Sequence, residues 1–256
     1  GTVSVAHWTG GGLPYIDNLV DLLVVEQPGL LDSGEIDRVL SPEGVACMKT
    51  DDGWRLRRKP WPDEIDEWTH YLHDSSGNPV SDDDRVGPPR GLQWEGSPQW
   101  SRHHEHMASV SALVSSGGRM FYIADRGSRK SILLPSRWHL VARDAFNGTV
   151  LWEREIKPWR SRLLPLKSGP AQMPRRLVAV DDTVYVTMGV DAPVSALDAE
   201  TGKTIRTFPE TEGTREIVVS GGTVFALSDS TPGRQEPGSP QDLSWIRRDR
   251  KQWWHG

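Results

Sequence analysis

The chain has 256 residues, 25% charged and 36% hydrophobic, with 25 Gly, 19 Pro and 12 Trp against four Phe and four Tyr. Its formal net charge of −5 offers no long-range attraction to nucleic acid or anionic lipid. No run of 18 apolar residues is present to span a membrane, and a single cysteine, Cys47, excludes an internal disulfide. The Gly and Pro content favours turns and β-structure over helix bundles.

In chain order, residues 1–50 read as α/β. Leu19 to Val25 is apolar except for Asp21 and predicts a strand buried on both faces of a parallel sheet. Ser33 is the expected N-cap of a short helix. Ile36, Val39 and Leu40 fall at helical spacing, Pro42 and Gly44 stop the helix, and Val45 to Met48 begin another strand. Residues 51–100 read as a bridge of helix and loop. Pro62 stands at a helix entry, Asp63 and Glu64 in its first turn, and Ile65, Trp68 and Leu72 form one apolar stripe. Glu67, His70 and Asp74 share the opposite face, and residues 75–98 have the composition of a loop.

The segment "RHHEHM" then brings His103, His104, Glu105 and His106 together just before a strand pattern. Imidazoles and carboxylates suit Mn²⁺, Fe²⁺ or Zn²⁺. On an extended chain alternate side chains share a face, so His104 and His106 point one way and His103 and Glu105 the other. A complete site therefore needs ligands from elsewhere, for which Glu67 and His70, with His73 nearby, are the candidates. The alternative is a set of strand-entry polar residues bonded to the preceding loop.

The remainder, residues 101–256, reads as a partial propeller, with an internal repeat within residues 112–256. "ALVSSGGRMFYI" (112–123), "RLVAVDDTVYVT" (176–187) and "EIVVSGGTVFAL" (216–227) align without gaps. Each reads as strand, two-residue turn, strand, with Gly-Gly or Asp-Asp tolerating positive φ at the turn. A second unit follows the first two copies, "LVARDAFNGTVLWEREI" (140–156) and "VSALDAETGKTIRTFPE" (194–210). The two units together predict a four-stranded antiparallel sheet, one propeller blade. Asp144 and Asp198 occupy matching turn positions, where an Asx-type bond to the following amides is the expected role. The fold class expected is mainly β, a partial β-propeller of about two to three four-stranded blades, with a small N-terminal α/β Rossmann-like segment.

Two stretches carry family resemblances. "LPYIDNLVDLLVVE" with "EIDRVLSPEGVACM" resembles the C-terminal part of a class I S-adenosylmethionine-dependent methyltransferase, with Pro42-Glu43-Gly44 in place of Pro-Gly-Gly. The glycine-rich cofactor loop of that family is not in this sequence, so the likeness implies a Rossmann-like module without methyl transfer. "D-A-x-x-G-x-x-x-W" and "L-D-A-x-T-G" resemble the repeat of pyrroloquinoline-quinone-type β-propellers. In that family the tryptophan docks against the neighbouring blade. Trp152 matches it in the first repeat, and Arg206 or a neighbour stands at that position in the second.

These resemblances imply an internal segment of a large bacterial multidomain protein, periplasmic or secreted. With one cysteine and no vicinal pair, the quinone itself is not expected. The expected role is a binding or scaffold module whose partner is the rest of its own polypeptide, another protein or a glycan. Nucleic acid and a membrane span are not expected. The alternatives are a metal-dependent propeller enzyme (polysaccharide lyase or oxidoreductase) using residues 103–106, and part of a methyltransferase lacking its cofactor loop.

Overall fold

The computed structural model describes residues 3–85, 87–88, 91–96, 110–130, 134–157, 159 and 173–228. The chain divides into two compact units. Unit 1 holds residues 1–66, 82–95 and 146–148, and unit 2 holds the rest.

Unit 1 is built on a three-stranded sheet of β1 (Val20–Val25), β2 (Leu40–Thr50) and β3 (Gly53–Arg58), in that order. β1 and β2 are parallel, joined through helix α1 (Ser33–Val39), and β2 and β3 are antiparallel. The sheet thus runs past residue 50. The helix cap is Asp32 rather than Ser33; its carboxylate accepts from the Gly34 amide at 3.0 Å. That assignment differs because adjacent Asp and Ser are both good caps, and backbone geometry selects between them.

Pro42 and Gly44 do not separate helix from strand, since β2 runs through both. The register jumps from Val20–Leu40 to Leu22–Val45, so residues 41–44 form a bulge, in which only Glu43 is exposed. Pro42, with no amide to donate, fits in such a bulge. Gly44 is required there, because a Cβ would lie 2.8 Å from the Ser41 carbonyl and 2.9 Å from that of Val20.

Ile36, Leu40 and Ala46 form a small core with Val20, Leu23, Leu31 and Met48 on one face of this sheet. Among the described residues the other face is largely exposed, contrary to the expectation that β1 is buried on both sides. The pairings of Leu22 with Val45, Val24 with Cys47, Cys47 with Leu56 and Lys49 with Trp54 set these residues on that face. Leu22 is 62% exposed and Leu56 70%. A continuous apolar run records hydrophobicity but not the number of layers that cover it.

Unit 2 is mainly β, a partial β-propeller. Its first blade is an antiparallel meander of β4 (Val110–Ser116), β5 (Arg119–Asp125), β6 (Trp138–Asp144) and β7 (Val150–Glu155). The second repeats this order with β8 (Leu177–Val180), β9 (Thr183–Thr187), β10 (Val194–Asp198) and β11 (Thr204–Phe208). A third sheet pairs β12 (Thr214–Ser220) with β13 (Thr223–Ser228).

All three repeat segments are hairpins with two-residue turns at 117–118, 181–182 and 221–222. Gly117 and Gly118 have φ of 59° and 70°, Gly221 and Gly222 54° and 73°, and Asp181 52°. These left-handed values match the twist of the flanking strands.

The blades pack through their alternating apolar faces. Val114, Phe121, Ile123 and Leu140 of the first blade share a core with Leu177, Val184, Val186 and Leu197 of the second. Val178 and Val194 of the second pack with Ile217 and Val219 of the third sheet. Hairpin tips are tied as well: Ser116 Oγ donates to the Asp181 carbonyl at 3.1 Å, and Arg119 pairs with Asp182 at 3.0 Å.

Candidate functional site

β4, β8 and β12 are neighbouring first strands of the three sheets, each at a sheet edge. Along these edges runs residues 67–75, where the amphipathic pattern predicted a helix. The segment is not helical; it carries a β-bridge between His70 and His73. The Ile65–Trp68–Leu72 spacing fits a helix, but here the backbone acceptors are taken by remote amides, and a helix would need them for itself.

Consecutive residues of this segment bond to consecutive sheets. Ser115 donates its amide to the Trp68 carbonyl at 2.8 Å, and Trp68 N–H returns a bond to Ser115 Oγ at 2.9 Å. Ala179 N–H donates to the Thr69 carbonyl at 3.0 Å. Val219 N–H donates to Nε2 of His70 at 3.0 Å. Ser115, Ala179 and Val219 are each the fourth residue of their aligned repeat segments (112–123, 176–187 and 216–227). The repeat therefore presents one equivalent amide per sheet, and the segment meets them one residue at a time.

Its ends are held too. The Glu67 carboxylate accepts from the Gly117 amide at the first hairpin tip, and Ser75 Oγ lies 3.4 Å from Ser220 Oγ. Trp68 Nε1 donates to the Tyr71 carbonyl at 3.2 Å, and the Trp68 and His73 rings meet edge to face. The Arg175 guanidinium lies 5.5 Å from the centre of the Tyr71 ring and is ion-paired to Glu216.

His70 and His73 are both buried. Because Nε2 of His70 accepts an amide proton, the ring is neutral with its proton on Nδ1, which lies 2.8 Å from Thr69 Oγ1. That hydroxyl in turn donates to the His73 carbonyl at 3.2 Å. Burial pushes the His70 pKa below its ordinary value, against the opposing pull of the Asp74 carboxylate. The Ser76 hydroxyl and amide hold Asp74 itself below the usual carboxylate range.

Of the candidate metal ligands, Glu67 and His70 lie in this segment, bonded to Gly117 and Val219. His103, His104, Glu105 and His106 lie outside the described residues. Among the described residues no group of three or more His, Cys, Asp or Glu gathers in a way that could hold a metal ion.

The turn aspartate expected to be structural has that geometry. Asp198 Oδ1 accepts from Thr201 Oγ1 at 2.6 Å and Thr201 N at 2.7 Å, and these bonds lower its pKa. Trp152 docks on the neighbouring blade. Its indole N–H donates to the Ala199 carbonyl at 2.9 Å, and its ring lies over Gly202, where a Cβ would be 2.6 Å away. Arg206, at the equivalent place in the second blade, sits instead over Phe208, 4.9 Å from the ring centre.

Sequence reasoning missed Trp94, which covers Gly148 as Trp152 covers Gly202, with a Cβ there 2.4 Å from the ring. The matched Asn147-Gly148 and Thr201-Gly202 turns were the available signal: a second glycine of this kind calls for a second tryptophan.

No family model matches the chain, and no curated protein does. Among solved structures, it is similar to the quinohemoprotein alcohol dehydrogenase from Comamonas testosteroni, with 18% identity and a TM-score of 0.40. The match covers 63% of this chain and 23% of that one, so the chain spans about a quarter of the length of that protein.

Proposed function

We propose that this chain is the propeller segment of a larger quinoprotein-like protein and serves there as a binding or scaffold module. In this reading its N-terminal α/β unit is a Rossmann-like, methyltransferase-like accessory without methyl transfer. The observation that carries the reading is the occupied row of β4, β8 and β12 amides. The edges that would be open to a small ligand are bonded to the chain's own residues 68–70, and the His70 lone pair is engaged by Val219. The D-A-x-x-G-x-x-x-W repeat, with Trp152 acting as an inter-blade anchor, supports the architectural side of the reading.

The test is metal analysis of the purified full-length protein, combined with assays for acidic-polysaccharide cleavage and alcohol oxidation. The expected result is substoichiometric metal and no turnover above background. Stoichiometric Mn, Fe or Zn together with a turnover abolished by His104→Ala would overturn it in favour of the metal-dependent enzyme.

A further inference from the structure

We infer that the amides of Ser115, Ala179 and Val219 form a recognition site for an extended peptide, occupied in this protein by its own residues 67–73. The inference rests on the binding-module reading and names its site, the class of its occupant and the residues that select that occupant.

Three observations carry it. First, the donors are one per sheet and at the same repeat position, so the site is a property of the propeller repeat and not of one loop. Second, the occupant supplies one acceptor per residue in sequence order: the Trp68 carbonyl, the Thr69 carbonyl and His70 Nε2. The two carbonyl acceptors, one to each of two sheets, place no demand on residue type, and the side chains then add selectivity. Third, the selecting contacts are distributed along the segment. Glu67 meets the Gly117 amide, Tyr71 lies beneath Arg175, and the His70 ring replaces a carbonyl as third acceptor. A peptide that fits therefore carries an acidic residue, then two residues contributing only backbone carbonyls, then an imidazole or amide acceptor followed by an aromatic ring.

The experiment uses the full chain with residues 67–73 replaced by a glycine–serine segment of equal length, and a labelled synthetic peptide, DEWTHYLHDS, corresponding to residues 66–75. Fluorescence anisotropy should show saturable binding to the replaced chain and none to the intact one, whose site is filled. A peptide carrying His70→Leu should bind at least about tenfold more weakly, and one carrying His70→Gln, whose amide oxygen can accept the Val219 proton, should recover most of the affinity. Absence of binding by a replaced chain whose first two blades still protect their strand amides from hydrogen exchange would overturn the inference. So would equal binding to the intact protein.

If the replaced chain does not fold, the intact chain decides. His70→Leu should speed exchange of the Val219 amide at least about tenfold while leaving Ser115 and Ala179 protected, and His70→Gln should restore it. Unchanged exchange at Val219 would overturn the inference. Failure of either arm in a protein free of metal and turnover leaves the binding-module reading standing, whereas metal-dependent turnover removes that reading whatever the peptide does.

Discussion

Val219 donates its backbone proton to the imidazole of His70, 149 residues earlier in the chain. This bond ties the third sheet to the segment that already binds the first two, and it exists only while the imidazole is neutral.

Stability should therefore depend on pH in a defined direction. The folded-state pKa of His70 is lowered by burial, so the unfolded chain takes up its proton first as pH falls. The contribution of His70 is full above about 6.5, the ordinary value, and is lost as pH falls from there through the lowered folded-state value. Asp74, Asp198 and Glu35, the last held down to about 2 by Arg38 and the Leu13 amide, lose their contributions only in the more acidic carboxylate range. Urea midpoints measured at pH 7.5 and 5.5 should drop for the wild-type chain, and His70→Gln should flatten the difference between them.

The two classes of turn glycine should respond differently to alanine. Gly202 has φ of 70° and lies under the Trp152 ring, so Gly202→Ala combines backbone strain with a clash and should cost about 2–4 kcal/mol. Gly222 has φ of 73° but meets nothing within 4 Å, so Gly222→Ala should cost only about 1–2 kcal/mol. Chemical denaturation of the two variants in parallel checks the ranking.

The aligned positions 152 and 206 should be unequal in the same assay. Trp152→Ala removes an indole packed on Gly202 and its bond to Ala199, and should cost about 3 kcal/mol. Arg206→Ala loses an exposed contact with Phe208 and should stay within about 1 kcal/mol. Equal losses would mean that the second blade docks outward through Arg206 as firmly as the first docks through Trp152.

The exposed apolar face of the N-terminal sheet should bind hydrophobic dye. Leu22, Val24, Trp54 and Leu56 all stand exposed there, and apolar faces of this kind favour association. Val24→Lys together with Leu56→Lys should reduce dye fluorescence and lower the sedimentation-average mass without altering the Ile36–Leu40–Ala46 core. A dye signal unchanged by this pair would locate the exposed apolar surface elsewhere.

The hairpins were legible because two local requirements coincide at each: apolar strands on either side and a residue pair that accepts positive φ. Asp181 met the requirement as well as Gly117 and Gly221 did. Trp152 and the structural role of Asp198 were legible through repetition, which marks positions by their spacing. The conformation of residues 67–73 was not, because its bonding partners lie 47 to 149 residues away and no local pattern records them. The same limit applies to Leu22 and Val24, whose sequence is that of a doubly covered strand. For Trp94 the glycine was visible but its partner sat in a Gly- and Pro-rich stretch that reads only as a loop.

The shared register of Trp68, Thr69 and His70 has a consequence for synthesis. The segment leaves the ribosome before any of the three strands it touches, and its partners emerge in the order in which it binds them, Ser115, then Ala179, then Val219. Each new hairpin thus meets an edge already partly assembled, so the long loops implied by these separations are closed one at a time and not all at once. Moving residues 67–73 to the C-terminus of a permuted chain would deliver the segment only after all three partners and so remove this order. Folding during synthesis should then lose its stepwise course, whereas refolding of the complete chain, which starts with every residue present, should not register the order of emergence: a kinetic role for a segment whose static role is to be bound.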